Sequence, residues 1–181
     1  MIYKESYPSN IQEGVWNEQT CVRRTSGFVV SQESLPSDLK WLPKGAPLAY
    51  NATTQKVSVC KTAKVYEEAA KDATEVKVYK GHLLAVGDKV GGSAISAIDT
   101  TNKDYDKLTV ATLANKAEKD SVLDDGNAKN VIGLNYATVY LDGMQSCTPT
   151  LQAYEIEEET LPYPLSDAIK EALTSRHAFK I

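Results

Sequence analysis

The chain has 181 residues with a formal net charge of −4 at pH 7, and 42% of its residues are hydrophobic and 24% charged. This length suits one domain with an arm, and the slightly acidic balance does not favour a nucleic-acid partner. No apolar run approaches the ~20 residues of a membrane-spanning helix. The N-terminus shows no secretory pattern. From these two observations we expect no membrane partner and folding in the cytoplasm.

Residues 1–26 are predicted to form an extended N-terminal arm. Tyr3, Tyr7, Ile11 and Trp16 are scattered among polar residues without a helical or strand period. Such a segment buries too little of its own apolar surface to offset the entropy lost on ordering. Two interpretations stay open, a frayed terminus and a tether whose aromatic and apolar side chains bind a partner. We take these four residues as the candidate partner-binding residues.

Strand patterns begin at residue 27 and continue through the first half of the chain. Lys56–Cys60 alternates strictly and follows a turn over Asn51–Gln55, which predicts a hairpin. A second alternating segment covers Glu75–Tyr79. Residues 64–73 are rich in helix formers, but their apolar stripe is too thin to anchor a helix, so we predict a loop there.

The second half of the chain has the same organisation. Ala94–Ile98 and Lys107–Leu113 flank a polar loop, and Val131–Leu141 is the longest strand pattern, with Gly133 marking a bulge. Thr150–Ile156 is the last strand of this series. Many short strands at even spacing predict a small β-barrel or β-sandwich.

The apolar period becomes helical near the C-terminus, where a helix is predicted over about residues 164–175. One face carries five apolar residues at helical spacing: Leu165, Ala168, Ile169, Ala172 and Leu173. Ser166 and Asp167 supply a capping hydroxyl and a first-turn carboxylate. The predicted fold is therefore mostly β, with an arm over residues 1–26 and a domain over residues 27–181 that ends in one helix.

Few residues in the chain suit catalysis. There are two histidines and three cysteines. A Cys60–His82 dyad would need a proximity that the sequence does not indicate, and we interpret Cys60 as a structural thiol and His82 as a turn residue. Odd, widely spaced cysteines are typical of reduced thiols in the cytoplasm. We predict no catalytic residues and no cofactor.

One loop resembles the start of a calcium site. Asn102, Asp104 and Asp106 are spaced two apart, as calcium ligands are in an EF-hand loop. Lys107 stands where that loop has its glycine, and Leu113 stands at its final glutamate. We therefore interpret the segment as a solvated hairpin loop and predict no metal site.

Five segments of the chain, in this order and spacing, match a known pattern: Leu42–Tyr50, Val59–Val65, Val78–Asp88, Ile98–Val110 and Leu161–Lys170. Together they resemble the head fiber proteins of tailed bacteriophages and of prophages of gut bacteria. The first strands are also similar to head decoration proteins, which cap capsid protein junctions, often as trimers. The resemblance covers roughly residues 27–181.

The resemblance implies a non-enzymatic virion structural protein on the outer face of the phage head, assembled in the host cytoplasm. Its expected partner is the major capsid protein, bound as capsid decoration or as the base of a head fiber, by a homo-oligomer that we expect to be a trimer. The family has no catalytic residues to transfer to this chain. The alternative is a β-sandwich binding module such as a carbohydrate-binding adhesin. That function would need an exposed aromatic platform, for which Trp16 and Trp41 are the only tryptophans.

Overall fold

A computed structural model describes residues 14–25, 27–33, 35–141 and 146–180. Within these residues the chain forms short strands, three 3-10 turns and one α-helix, and one sheet curls into a half-barrel. The predicted mostly-β fold with one C-terminal helix is confirmed. The strands are β1 (Val22–Arg23), β2 (Phe28–Val29), β3 (Trp41–Leu42), β4 (Pro47–Asn51), β5 (Lys56–Val59), β6 (Thr62–Lys64), β7 (Glu75–Tyr79), β8 (Lys89–Val90), β9 (Ser93–Asp99), β10 (Tyr105–Val110), β11 (Val122–Asp124), β12 (Val131–Leu134), β13 (Val139–Tyr140), β14 (Ser146–Cys147), β15 (Thr150–Ile156) and β16 (His177–Phe179).

The largest sheet has four strands in the order β7-β10-β9-β8. Its strands are antiparallel neighbours, and β7 and β10 alternate between buried and partly exposed residues. Two three-stranded sheets have the orders β12-β4-β5 and β1-β15-β16, and three two-stranded ribbons complete the fold. The predicted hairpin across Asn51–Gln55 is present, with Asn51 opposite Lys56.

The segment predicted as the longest strand is divided in two. The chain leaves β12 after Leu134 and forms β13 only from Val139. Asn135 causes the break, because its buried side-chain amide donates to the carbonyls of Leu42, Pro43 and Ala137 at 3.3, 2.9 and 2.8 Å. The register shift beside Gly133 agrees with the predicted bulge.

Residues 14–25 belong to the folded domain, in contrast to the predicted arm over residues 1–26. Val15 and Trp16 are buried, with 1% and 4% exposure. The Val15 carbonyl accepts from the Glu157 N–H at 3.0 Å, and Val22 in β1 lies opposite Gln152 in β15. The sequence pattern did not predict that residues 14–25 pack on the domain. The strand β1 is only two residues long, and its partner β15 lies far along the chain.

The single helix of the described chain, α1, runs from Asp167 to Leu173. The Ser166 side chain caps it by accepting from the Ile169 N–H, as predicted. Ile169 and Leu173 are buried in one core cluster with Trp16 and Ile156. The helix therefore packs on its own domain, and its docking helps to hold residues 14–16 in place.

Two further apolar clusters complete the core. One lies beneath the four-stranded sheet, and the other lies between β3, β4 and β5. No helix in the described part of the chain is long and apolar enough to cross a membrane. Residues 64–73 contain no helix, which agrees with the loop expected there.

Candidate functional site

The four predicted partner-binding residues have different positions in this structure. Tyr3, Tyr7 and Ile11 lie outside the described residues. Trp16 is described, and it is a core residue rather than an exposed anchor. The Lys44 ammonium nitrogen lies 4.7 Å from the centre of the Trp16 ring, so lysine and core together cover the indole. Trp16 is therefore unavailable to a partner in this conformation.

Three tyrosines form a contiguous aromatic cluster on the outer face of the four-stranded sheet. Tyr79 of β7 lies directly opposite Tyr105 of β10. The ring of Tyr66 contacts both, with centroid distances of 5.1 Å to Tyr79 and 5.1 Å to Tyr105. All three side chains are partly exposed. We call Tyr66, Tyr79 and Tyr105 the tyrosine face.

Local sequence explains why the ring of Tyr79 points outward. In β7 the residues Val76 and Val78 are buried, so the alternation places Lys77 and Tyr79 on the opposite face. Tyr66 joins them from a different segment, because its N–H donates to the Lys77 carbonyl at 2.9 Å. Together with the antiparallel bridge between Val65 and Val78, this hydrogen bond holds the segment beside β7 and brings the third ring into contact.

Lysine side chains lie over two rings of the tyrosine face. The Lys64 ammonium nitrogen is 5.8 Å from the centre of the Tyr79 ring, and that of Lys77 is 5.2 Å from the centre of the Tyr105 ring. Lys77 also pairs with Glu67, and this hydrogen bond raises the pKa of the lysine. Cation–π contacts thus help to orient the rings of Tyr79 and Tyr105. The exposed part of the tyrosine face combines apolar ring surface with hydroxyl groups.

Trp41, the other tryptophan, pairs with Tyr140 at a centroid distance of 4.8 Å and an interplanar angle of 56°. In the tyrosine face the interplanar angles are 71° for Tyr66–Tyr79 and 34° for Tyr66–Tyr105. Neither cluster presents coplanar rings. Neither cluster therefore provides one flat platform made of several rings.

The buried His177 belongs to a structural hydrogen-bond chain. Its Nδ1 lies 2.8 Å from the Leu173 carbonyl, and its Nε2 lies 2.9 Å from the Thr150 hydroxyl oxygen. A carbonyl only accepts, so Nδ1 carries the proton and Nε2 of the neutral ring accepts from Thr150. The same hydroxyl oxygen accepts from the Leu134 N–H at 2.9 Å. Burial lowers the pKa of His177, consistent with a neutral ring.

Cys60 and His82 do not form a dyad. The Cys60 thiol donates to Asp125 Oδ1 at 3.3 Å, and burial beside this carboxylate raises the pKa of the thiol. His82 Nδ1 instead accepts from the Leu84 N–H, and its Nε2 lies 3.3 Å from Asp106 Oδ2 without hydrogen-bond geometry. Each residue is held by its own neighbours. The three cysteines are all free thiols.

In the loop that resembles a calcium site, the side chains of Asn102 and Asp106 bind other groups of the protein. Asn102 Oδ1 accepts from the Asp104 N–H at 2.9 Å, which closes a turn. Asp106 is buried and accepts from the Lys80 ammonium group at 2.7 Å. Asn102 and Asp106 are thus engaged in a turn and an ion pair. No group of three or more potential ligands from histidine, cysteine or acidic residues occurs in the described ranges.

The tyrosine face was not among the sequence-predicted sites. One signal for it was composition, since the chain has ten tyrosines against two phenylalanines and two tryptophans. The alternation of β7 also indicated that Tyr79 points outward. The contact with Tyr66 could not be predicted, because Tyr66 lies in a loop without periodicity.

Comparison of the chain with protein-family models, with curated proteins and with solved structures finds no match in any of the three.

Proposed function

We propose that this protein is a non-enzymatic structural protein that binds the outer face of a tailed-phage head through the tyrosine face. The observation that carries the proposal of a protein partner is the contiguous, partly exposed cluster of Tyr66, Tyr79 and Tyr105. Tyrosine is enriched in protein interfaces because its ring buries apolar area while its hydroxyl keeps a hydrogen bond. The sequence resemblance to head fiber and decoration proteins supplies the partner, the major capsid protein.

The surroundings of the tyrosine face favour a protein surface over a sugar. Lysine and acidic side chains alternate around the rings, including the Lys107–Glu75 pair at 3.2 Å. Such a mixed rim around an aromatic centre is the usual composition of a protein–protein contact. The tilted rings form no continuous flat platform, which would be the usual support for an extended carbohydrate chain.

Binding in several copies suits this function. A trimer on a three-fold site of the shell would gain avidity from the high effective concentration of its second and third subunits. A protein that binds only the assembled shell stabilises the shell by mass action. We therefore propose that the protein reinforces the capsid or presents a surface at its exterior.

Co-sedimentation with purified capsids tests the proposal. Tyr105→Ala should weaken retention on capsids by roughly tenfold or more, the usual size of an interface hot spot. Tyr154→Ala is the matched control, because Tyr154 is 36% exposed but lies in β15, outside the tyrosine face. Circular dichroism should show that both variants remain folded.

Three outcomes would contradict the proposal. The protein could be absent from purified particles when they are imaged with a specific antibody. Tyr105→Ala and Tyr154→Ala could bind capsids equally well. Selective binding on a glycan array that Tyr105→Ala abolishes would instead support the adhesin alternative.

A further inference from the structure

A cavity lies away from the tyrosine face, where the C-terminal end of α1 meets β12 and β15. Its volume is about 280 Å³. Four residues with polar side chains line it, namely Arg24, Thr174, Arg176 and His177, together with apolar residues of β12, β15 and α1. We call it the arginine cavity.

Arg24 lines one side of the arginine cavity and is held by hydrogen bonds. Its Nε and Nη2 both donate to the Ile132 carbonyl, at 3.2 and 3.0 Å, and its own N–H donates to the Pro149 carbonyl at 2.9 Å. These bonds fix one edge of the guanidinium group. The Nη1 group has no partner among the residues that the structure describes. The guanidinium group of Arg24 is thus held in place, and its Nη1 N–H groups can donate to a ligand.

Arg176 is exposed at the cavity, and its guanidinium group makes no hydrogen bond or ion pair with any described residue. Guanidinium groups bind carboxylate and phosphate through paired N–H donors. Two arginines on one cavity therefore provide a donor set for a small anion.

A strained backbone conformation at Thr174 places Arg176 at the arginine cavity. Its φ and ψ are 63° and 179°, a region that is almost exclusive to glycine. The conformation is held because the Thr174 N–H donates to the Glu171 carbonyl at 3.3 Å and the Thr174 carbonyl accepts from the His177 N–H at 3.2 Å. The sharp reversal from α1 into β16 brings Arg176 and His177 to the same cavity.

The charges of the lining favour an anion. None of the described residues that line the arginine cavity is acidic. The nearby end of α1 carries partial negative charge on its last carbonyls, but the Leu173 carbonyl is already bonded to His177 Nδ1. The two guanidinium groups remain the dominant charges.

We propose that the arginine cavity binds a small oxyanion, a carboxylate or a phosphate group, with Arg24 and Arg176 as its donors. The ligand can be a free ion or a carboxylate side chain of a partner protein. This site is separate from the tyrosine face, and its binding of a free anion does not depend on the proposed function; only the assignment of a capsid carboxylate as its ligand rests on that function.

Titration of the isolated protein with acetate and with inorganic phosphate tests the site. Ionic strength is held constant with sodium chloride, and the readouts are the thermal unfolding midpoint and the NMR signals of the His177 ring. At least one anion should give a saturable shift in both. Arg176→Gln should weaken this binding by roughly tenfold, since each charge-assisted hydrogen bond contributes substantially.

Arg23→Gln is the matched control, because Arg23 neighbours Arg24 in sequence but lies over the Tyr136 ring, at 5.2 Å from its centre, and does not line the cavity. It should bind the anion as the unmodified protein does. Absence of saturable binding of both anions, or equal affinity in Arg176→Gln and Arg23→Gln, would overturn the proposal.

Capsid co-sedimentation distinguishes the two sources of the anion. If Arg176→Gln loses acetate or phosphate binding and also loses capsid retention, a partner carboxylate occupies the cavity. If it loses anion binding alone, the ligand is a free ion. Both results support the site, and they leave the test of the tyrosine face by Tyr105→Ala unaffected.

Discussion

Thr150 and His177 show how single polar side chains hold distant parts of this fold together. The Thr150 hydroxyl accepts from the Leu134 N–H of β12 and donates to His177 in β16. His177 in turn donates to the last residue of α1. Every member of this chain is buried, so loss of one partner leaves another polar group unsatisfied in the core.

Stability should therefore depend on pH through His177. Burial, with a smaller contribution from Arg24, lowers the pKa of the folded-state ring below its ordinary value of about 6.5. The unfolded chain then binds more protons in this range, so the free energy of unfolding is highest above about pH 6.5 and falls as the pH drops through that value. Urea unfolding at roughly pH 7.5 and pH 5 measures the difference.

His82 contributes in the same direction, because burial also lowers its pKa. Comparison of His177→Gln with His82→Gln separates the two contributions. If His177→Gln keeps the full pH dependence of the unmodified protein, the proposed role of its ring is wrong.

At the scale of elements, the backbones of β12 and β15 are in close contact at Gly133 and Thr150. A Cβ atom added to Gly133 would lie 2.1 Å from the Thr150 carbonyl oxygen and 3.0 Å from the Thr150 nitrogen. Backbone cannot move aside as a flexible side chain can, so the two strands would have to separate.

Gly133→Ala should consequently lower the free energy of unfolding by about 3 kcal/mol or more. Gly27→Ala is the control, because its added Cβ would meet Ser146 at an ordinary 3.4 Å. Chemical denaturation of both variants measures the effect. A small loss in Gly133→Ala would show that β12 and β15 are further apart than the structure has them.

The packing of α1 supports a second prediction at this scale. Ile169 is fully buried against the core, so Ile169→Ala should cost about 2–5 kcal/mol of stability. Glu171→Ala, on the exposed side, should change stability by less than about 0.5 kcal/mol. Lys170 is a less suitable control because it pairs with Glu158 at 2.6 Å. Equal, small effects at positions 169 and 171 would mean that α1 is not docked on the domain in solution.

At the scale of the whole molecule, Val15 and Trp16 are the first buried residues in the described part of the chain. Deletion of residues 1–13 keeps this pair and should leave the thermal unfolding midpoint nearly unchanged. It removes Tyr3, Tyr7 and Ile11, which remain candidate partner-binding residues, so retention on capsids should decrease. Unchanged capsid retention would remove these residues from the proposed interface.

Deletion of residues 1–16 is the comparison for stability. It removes the buried Trp16 as well, and loss of a buried tryptophan costs about 3–5 kcal/mol. This longer deletion should lower the unfolding midpoint clearly. The two deletions together separate a binding role of the first residues from the structural role of Val15 and Trp16.

Local chemistry in the sequence determined most of the secondary structure. Strict alternation predicted β5 and β7, a polar loop predicted the β9–β10 hairpin, and helical spacing with a serine cap predicted α1. These patterns are reliable because the residues that define each element are neighbours along the chain. The bulge at Gly133 was likewise predicted from a local feature, a glycine within a strand pattern.

Only the tertiary structure decided which distant residues meet. Asn135 interrupts a strand by bonding to carbonyls more than ninety residues away, and Trp16 is buried by residues from the C-terminal helix region. The tyrosine face and the arginine cavity arise in the same way, from segments whose order in sequence says nothing of their distance in space. Contacts of this kind depend on how the sheets curl and pack together, a property of the whole chain that no local pattern contains.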